Sequence, residues 1–366
     1  MRRFEDCLMA SGAIPIRNIY ALLAYAWNRL DLARESHGGA TEGETPVELL
    51  ARLLSDSLRR ILRRGVHREY LEVSEELRML RGRVDIEHMV ARGLRARGSL
   101  SCSFDELLFD VPANRVIKAT ARRLFACRDV PTELAIPLRA AYLLMSDVSA
   151  VDLDDEMLRR ARPPRGHSEY ELALDVCRLI HESVLPDEAG QGYRLRDFTR
   201  DDHQMAALFE AFVRNFLKVE LPHARVTSPH VTWAGASGSE ASLSWLPRMK
   251  TDVSVMVGDT QTIVETKFYR TPFQRRFRGE SERIRSAHLY QLFAYLKNAQ
   301  REGTKTAGIL LYASVGKDVE ASVRLGDLSV AVRTLDLTSS WADLRLALLR
   351  LPFASTGDTR SGGVEP

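Results

Sequence analysis

The chain is poor in the features that mark several common protein classes. Its four cysteines, Cys7, Cys102, Cys127 and Cys177, are scattered over 366 residues without a C-x-x-C pair. That usage argues against a disulfide framework, a zinc ribbon or an iron–sulfur cluster, and it fits a reducing cytoplasm. No apolar run approaches the roughly eighteen residues that a membrane-spanning helix needs. The first dozen residues carry Arg2, Arg3, Glu5 and Asp6 and no apolar stretch, so a signal peptide is not expected. No G-x-x-x-x-G-K-[ST] loop occurs, so the chain itself is expected to bind no nucleotide. A net charge of +3 is too small to point to a polyanionic partner, and local clustering has to carry that argument.

Helical periodicity fills much of the first half. Residues 15–30 place Ile19, Leu22, Leu23, Ala26 and Trp27 at helical spacing, and Thr45-Pro46-Val47-Glu48 is a capping box that opens a second helix. Short strands follow between Arg68 and Phe109. Within them, Arg92 to Gly98 is a basic, glycine-flanked loop suited to phosphates, to an acidic partner surface or to plain solvent. Further helices run from Pro112, Leu134 and Asp154 until Pro163-Pro164-Arg165-Gly166 breaks the chain, and Ser168-Glu169-Tyr170-Glu171 caps a connecting helix. Residues 201–220 form a strongly amphipathic helix with Glu210 off its apolar stripe.

The candidate chemistry lies beyond that helix. Residues 246–255 and 262–269 read as two strands joined by a hairpin turn at Gly258-Asp259. Alternation along the second strand places Ile263, Glu265 and Lys267 on one face and Val264, Thr266 and Phe268 on the other. Asp252, thirteen residues before Glu265, lies on the neighbouring strand. Two carboxylates and a lysine converging on one point suit metal-dependent phosphodiester cleavage, with oxygen ligands for Mg²⁺ (Mn²⁺ being able to substitute) and a cation beside the attacking water. A solvated edge-strand pair beside a turn aspartate would leave the same spacing. What favours a site is that the acids interrupt otherwise apolar strands, where an unpartnered charge is costly. An arginine-dense stretch follows, including Arg275, Arg276 and Arg278, where a polyanion would lie. A helix from Ile284 then carries Gln291 and Tyr295, and strands near 307–315 and 328–337 complete a mixed α/β pattern.

Ile14 to Tyr20 with Tyr25-Ala26-Trp27, Arg81-Gly82-Arg83, Asn114-Arg115-Val116-Ile117-Lys118, Leu246-Pro247-Arg248-Met249 and Leu289-Tyr290-Gln291-Leu292 together resemble the McrC family, the nuclease subunit of the McrBC modified-cytosine restriction system. The resemblance runs in order over nearly the whole chain. It implies a PD-(D/E)xK endonuclease domain with a mixed central sheet at residues 201–353 and an α+β partner-docking region at 1–165; the chain's own pattern leaves a connecting helix and linker at 166–200 and a polar tail at 354–366 expected to be disordered. Asp252, Glu265 and Lys267 take the motif positions; the family commonly has Asp where Glu265 stands. Gln291 and Tyr295 resemble the Q-x-x-x-Y element of RecB-like nucleases, and Glu210 matches an acid that often adds a metal contact in this class. The implied partners are a hexameric AAA+ GTPase motor of the McrB type and double-stranded DNA with a modified cytosine. Arg81, Arg83, Arg92, Arg95 and Arg97 are the residues expected at the motor, and Arg275, Arg276 and Arg278 those expected on DNA. A stand-alone RecB-like nuclease and a non-catalytic adaptor of an AAA+ partner are the other readings. The acid–acid–lysine set speaks against the adaptor, and the long N-terminal region against the stand-alone enzyme.

Overall fold

The computed structural model describes residues 14–29, 43–94, 98–186, 193–268, 284–316 and 319–353. Two compact units emerge, one of residues Val47–Asp197 and one that joins Met1–Pro46 to Phe198–Pro366. The first helix, α1 (Ile16–Ala26), is buried from Asn18 through Tyr25. A helix this apolar around its circumference belongs in an interior, and it lies in the unit of the C-terminal half.

The Val47–Asp197 unit starts with the long amphipathic helix α2 (Pro46–Arg64), which buries Leu49, Leu50, Leu53, Leu54, Leu58 and Ile61. Strands β1 (Glu69–Leu77), β2 (Arg83–Val84) and β3 (Leu100–Leu108) form an antiparallel sheet in the order β1-β3-β2. Gly82 has φ +68°, and a Cβ there would strike the Ser103 carbonyl oxygen; only glycine fits between the two arginines. Between β2 and β3 lies α3 (Ile86–Ala91), capped by Asp85, which accepts from the His88 N–H at 2.9 Å. Helices α4 (Pro112–Phe125), α5 (Thr132–Leu144), α6 (Asp155–Arg160) and α7 (Ser168–Ser183) complete the core, and a short pair, β4 (Val184–Pro186) and β5 (Tyr193–Leu195), closes the unit.

The Asn114–Lys118 motif is a set of latches inside this unit. Asn114 is fully buried; its Nδ2 donates to the carbonyls of His67 (2.9 Å) and Phe109 (2.7 Å), while its Oδ1 accepts from the Tyr170 hydroxyl (2.8 Å). Arg115 grips Asp110 through two bonds of 2.7 Å. Lys118 donates to the Met145 and Val148 carbonyls at 2.7 and 2.6 Å. Buried polar groups satisfied this completely fix the packing of their elements.

In the other unit, α8 (Asp202–Glu220) is capped by Asp201 and buries Met205, Phe209, Phe212, Val213 and Phe216. Strand β6 (Arg225–Thr227) is followed by the small ladder of β7 (His230–Val231) with β8 (Met249–Lys250), and between these two sits the four-residue helix α9 (Glu240–Leu243). Strands β9 (Val253–Val257) and β10 (Thr260–Phe268) make the expected hairpin, with Gly258 at φ +58° in its turn. Helix α10 (Ser286–Ala299) leads to β11 (Lys305–Ser314), then to β12 (Glu320–Leu325), β13 (Leu328–Asp336) and α11 (Trp341–Arg350). The six-stranded sheet runs β12-β13-β11-β10-β9-β6, with β10, β11 and β13 parallel and the remaining pairings antiparallel.

Helices cover both faces of this sheet. On one face, Leu292, Tyr295 and Leu296 of α10 pack on Ile263, Leu310, Tyr312, Val330 and Val332. Gly308 permits that approach, because a Cβ there would come within 2.7 Å of Leu296 Cδ1. On the opposite face Phe209 meets Phe268, and Tyr25 of α1 stacks among Phe212, Phe216 and Trp341. Asn18 donates to the Leu337 and Ser339 carbonyls beyond β13, and Asn215 closes the end of α1 by donating to the Tyr25 and Ala26 carbonyls.

The unit boundaries therefore differ from those expected at 165 and 200. Aromatic packing draws α1 into the unit of the C-terminal half. The stretch expected as a connecting helix, α7, is a core element of the other unit, burying Tyr170, Leu174, Val176, Cys177 and Ile180. The tail from residue 354 lies outside the described residues.

Candidate active site

The β9–β10 hairpin carries the acids. Val253 pairs with Val264, and the ladder stops there, leaving Asp252 next to Glu265 at its open end. Asp252 lies in a two-residue break between β8 and β9 rather than inside one continuous strand. Its Oδ2 accepts from both the Thr266 backbone N–H (2.8 Å) and the Thr266 hydroxyl (2.7 Å), which fixes the carboxylate against β10.

Glu265 is 1% exposed. Its Oε1 accepts from Lys267 Nζ at 2.8 Å, while its Oε2 is buried without a hydrogen-bond partner. Lys267 also donates to Gln291 Oε1 at 3.1 Å, and Gln291 Nε2 reaches the Tyr295 hydroxyl at 3.0 Å. An ammonium offers only donors, so the Gln291 carbonyl must face Lys267 and its amide must face Tyr295. Glu265 and Lys267, expected on one strand face, and Gln291 and Tyr295, expected on the helix that follows, are joined in a single hydrogen-bonded chain.

The electrostatics are those of acids held together away from water. Burial first, and then the charge of Asp252, push the Glu265 carboxyl up to about 7, with Glu210 adding to the rise and Lys267 opposing it. Burial also raises Asp252, against the two Thr266 donors; Glu210 raises it further. Glu210 is thus close enough for its charge to be felt by both acids, although its Oε1 is held by Arg214 at 2.6 Å. Among the described residues no three His, Cys, Asp or Glu side chains converge into a metal-binding group. A Mg²⁺ ion does not need three, because it keeps several waters and is commonly held by one or two carboxylates. The orphaned Glu265 Oε2 beside Asp252 suits such an ion: a divalent cation would supply the missing partner and relieve the repulsion that raises both acids.

Two further side chains border the site without having been singled out from sequence. His288, one turn before Gln291, shares a 2.9 Å hydrogen bond with the Tyr312 hydroxyl; burial, then the charges of Lys267 and Arg285, push it down to about 4. Its i, i+3 spacing from Gln291 was the available signal. The Thr266 hydroxyl is the other, and nothing in the sequence marks it as the clamp on Asp252.

The arginines expected at a partner are exposed but occupied. Arg81 stacks over the Phe104 ring and pairs with Glu106 at 3.2 Å, Arg83 pairs with Glu72 at 3.1 Å, and Arg92 approaches Glu76 at 3.6 Å. Arg95 and Arg97, and the expected DNA contacts Arg275, Arg276 and Arg278, lie outside the described residues.

The family model described as McrBC 5-methylcytosine restriction system component matches residues 22–313. A relative from Escherichia coli (strain K12), the type IV methyl-directed restriction enzyme EcoKMcrBC, is 28% identical over 342 residues, covering 93% of this chain and 98% of the relative. A solved half-complex from the tetradecameric assembly of Thermococcus gammatolerans McrB AAA+ hexamers with bound McrC aligns over 92% of this chain and 74% of that one. Its TM-score is 0.51 at 19% identity, a likeness of fold.

Proposed function

The chain belongs to the McrBC 5-methylcytosine restriction system component family, and we propose that it is the nuclease subunit of such a system. In this reading it is a cytoplasmic, Mg²⁺-dependent DNA endonuclease that cuts DNA bearing modified cytosine when attached to a hexameric GTP-driven AAA+ motor, whose GTP turnover it raises. We read the C-terminal unit as a PD-(D/E)xK nuclease fold, a hairpin delivering its acids at the end of a helix-covered mixed sheet. The observation that carries the reading is the buried Asp252–Glu265 pair, with one glutamate oxygen unpartnered and Lys267 bound to the other. Stability alone does not explain such an arrangement, since an unpaired buried carboxylate oxygen costs free energy unless a ligand meets it. No helix among the described residues is long and apolar enough to cross a membrane.

Asp252 and Glu265 would hold Mg²⁺, or Mn²⁺ in its place, with the Thr266 carbonyl as a third oxygen and Glu210 adding charge. The bound ion would supply Lewis-acid polarisation of the scissile phosphate and of the attacking water. The chain's own residues do the positioning. Thr266 fixes Asp252 with two hydrogen bonds. Glu265 and Gln291 hold the Lys267 ammonium, which would orient the water or neutralise a phosphate oxygen, and Tyr295 locks Gln291. His288, depressed to about 4, stays neutral near pH 7 and adds no second cation beside Lys267.

Around this centre, Arg275, Arg276 and Arg278 would hold phosphates. Arg81, Arg83, Arg92, Arg95 and Arg97 would meet acidic groups of the motor, with Arg81, Arg83 and Arg92 exchanging intramolecular carboxylates for the partner's. The test is reconstitution of the full chain with its motor on modified and unmodified duplexes, with Mg²⁺ and with or without GTP. The reading requires cleavage only of modified DNA and only with motor and GTP. Cleavage of any duplex by the chain alone would point to the stand-alone enzyme instead.

A further inference from the structure

Between β7 and β8 the chain leaves the core for seventeen residues, 232–248, and returns at Met249, three residues before Asp252. The base of this excursion is rigid. His230 pairs with Lys250 and Val231 with Met249, and Met249 is buried against Leu292, Tyr295 and Leu296 of α10. The stem is tied further by Trp233 Nε1 donating to the Pro247 carbonyl at 2.9 Å, and by the Ala234 N–H donating to Asn298 Oδ1 at 2.8 Å. Asn298 lies seven residues, about two turns, along α10 from Gln291. The excursion is thus built on the helix that positions Lys267 and runs through β8 directly into the break that carries Asp252.

Its far end turns apolar and basic surface outward. Trp245 is 87% exposed, with Leu243 and Leu246 partly exposed beside it. Arg248, just before β8, and Lys250, on it, are exposed, against a single acid, Glu240, within the excursion. A tryptophan left this open has an unspent stacking face. With two exposed cations between it and Asp252 along the chain, the complementary occupant is a nucleic acid, whose phosphates meet the cations and whose bases or sugars meet the ring.

We propose that the 232–248 excursion is a DNA-holding arm. Arg248 and Lys250 grip backbone phosphates flanking the scissile one, and Trp245 lies against a base or sugar of the duplex, setting its register at Asp252. The inference rests on the nuclease reading for the identity of the scissile bond, but its contacts are separately measurable.

The experiment uses the full chain and a fluorescein-labelled 30-base-pair duplex. Trp245→Ala should weaken duplex affinity several-fold, and Trp245→Tyr, which keeps an aromatic face, should restore most of it. Replacing Arg248 and Lys250 by Ala should lower the log–log salt slope by about one per cation. Unlabelled duplex should shield wild-type tryptophan emission from acrylamide, and that shielding should vanish in Trp245→Tyr. The arm is refuted if Trp245→Ala binds duplex as wild type does and DNA gives no shielding. It is equally refuted if the variant instead alters self-association or motor assembly, which would make the patch a protein-docking face. The two proposals fail differently. If Asp252→Ala still cuts DNA while Trp245→Ala has lost its grip, the site assignment falls and the arm stands; the reverse pattern removes the arm alone.

Discussion

Glu265→Gln measures what it costs to keep an acid where water does not reach. The carboxyl titrates near 4.5 in the unfolded chain, whereas burial and then the charge of Asp252 push it up to about 7 in the fold. Between those values the folded state holds a proton that the unfolded state has released, so this group's contribution to stability falls as pH rises from 4.5 and levels off above 7. The gap corresponds to roughly 3 kcal/mol of metal-free stability. Asp252 is raised by the same burial and acts in the same direction. His288 acts in the opposite one: from an ordinary 6.5 it is depressed to about 4, so its contribution is lost as pH falls through that window. A single pH–stability curve therefore mixes opposing slopes, and the difference between wild type and Glu265→Gln isolates residue 265. In urea or thermal unfolding without metal, that difference should move in the variant's favour by roughly 3 kcal/mol between pH 5 and pH 8, on the order of 5–10 °C in midpoint. At pH 8, Mg²⁺ should then stabilise the wild type and not the variant. A difference that does not change with pH, or equal stabilisation of both proteins by Mg²⁺, would refute the reasoning.

Two other perturbations follow from the same geometry. Gly308→Ala drives a methyl into Leu292 and Leu296 and should cost about 1–3 kcal/mol in denaturant unfolding; an unchanged midpoint would mean that α10 can shift off β11 freely. Glu210→Gln removes a charge that raises both site acids, so the acid limb of the cleavage profile should move to lower pH while the rate at pH 8 is largely kept. A loss at pH 8 as complete as that from removing Asp252 would instead make Glu210 a direct metal ligand.

Local pattern carried strand β10 and helix α10. Alternation along 263–267 and helical spacing at 291 and 295 assign faces within one element, and those faces are where the hydrogen-bonded chain from Glu265 to Tyr295 forms. What stayed hidden was non-local. Nothing near Ile16–Ala26 says that its partners are Phe212, Phe216 and Trp341, roughly two to three hundred residues away, so the helix was assigned to the wrong half. The break at Thr251-Asp252 lies within a stretch whose composition reads as one strand, and it is set by the clamp from Thr266. Strand β12 was missed because its residues are mostly exposed on a sheet edge, where alternation loses its apolar signal. The intramolecular partners of Arg81, Arg83 and Arg92 were not legible in sequence because those carboxylates, Glu106, Glu72 and Glu76, lie on neighbouring elements.

The most direct test of the central claim is cleavage of a modified duplex by the motor-assembled complex carrying Asp252→Ala, Glu265→Ala or Lys267→Ala, with Mg²⁺ and GTP present. Each variant should assemble with the motor and raise GTP turnover as wild type does, yet leave the DNA uncut, because each removes an oxygen or a charge needed only where the phosphodiester bond breaks. Cleavage at the wild-type rate by any one of the three would contradict the account.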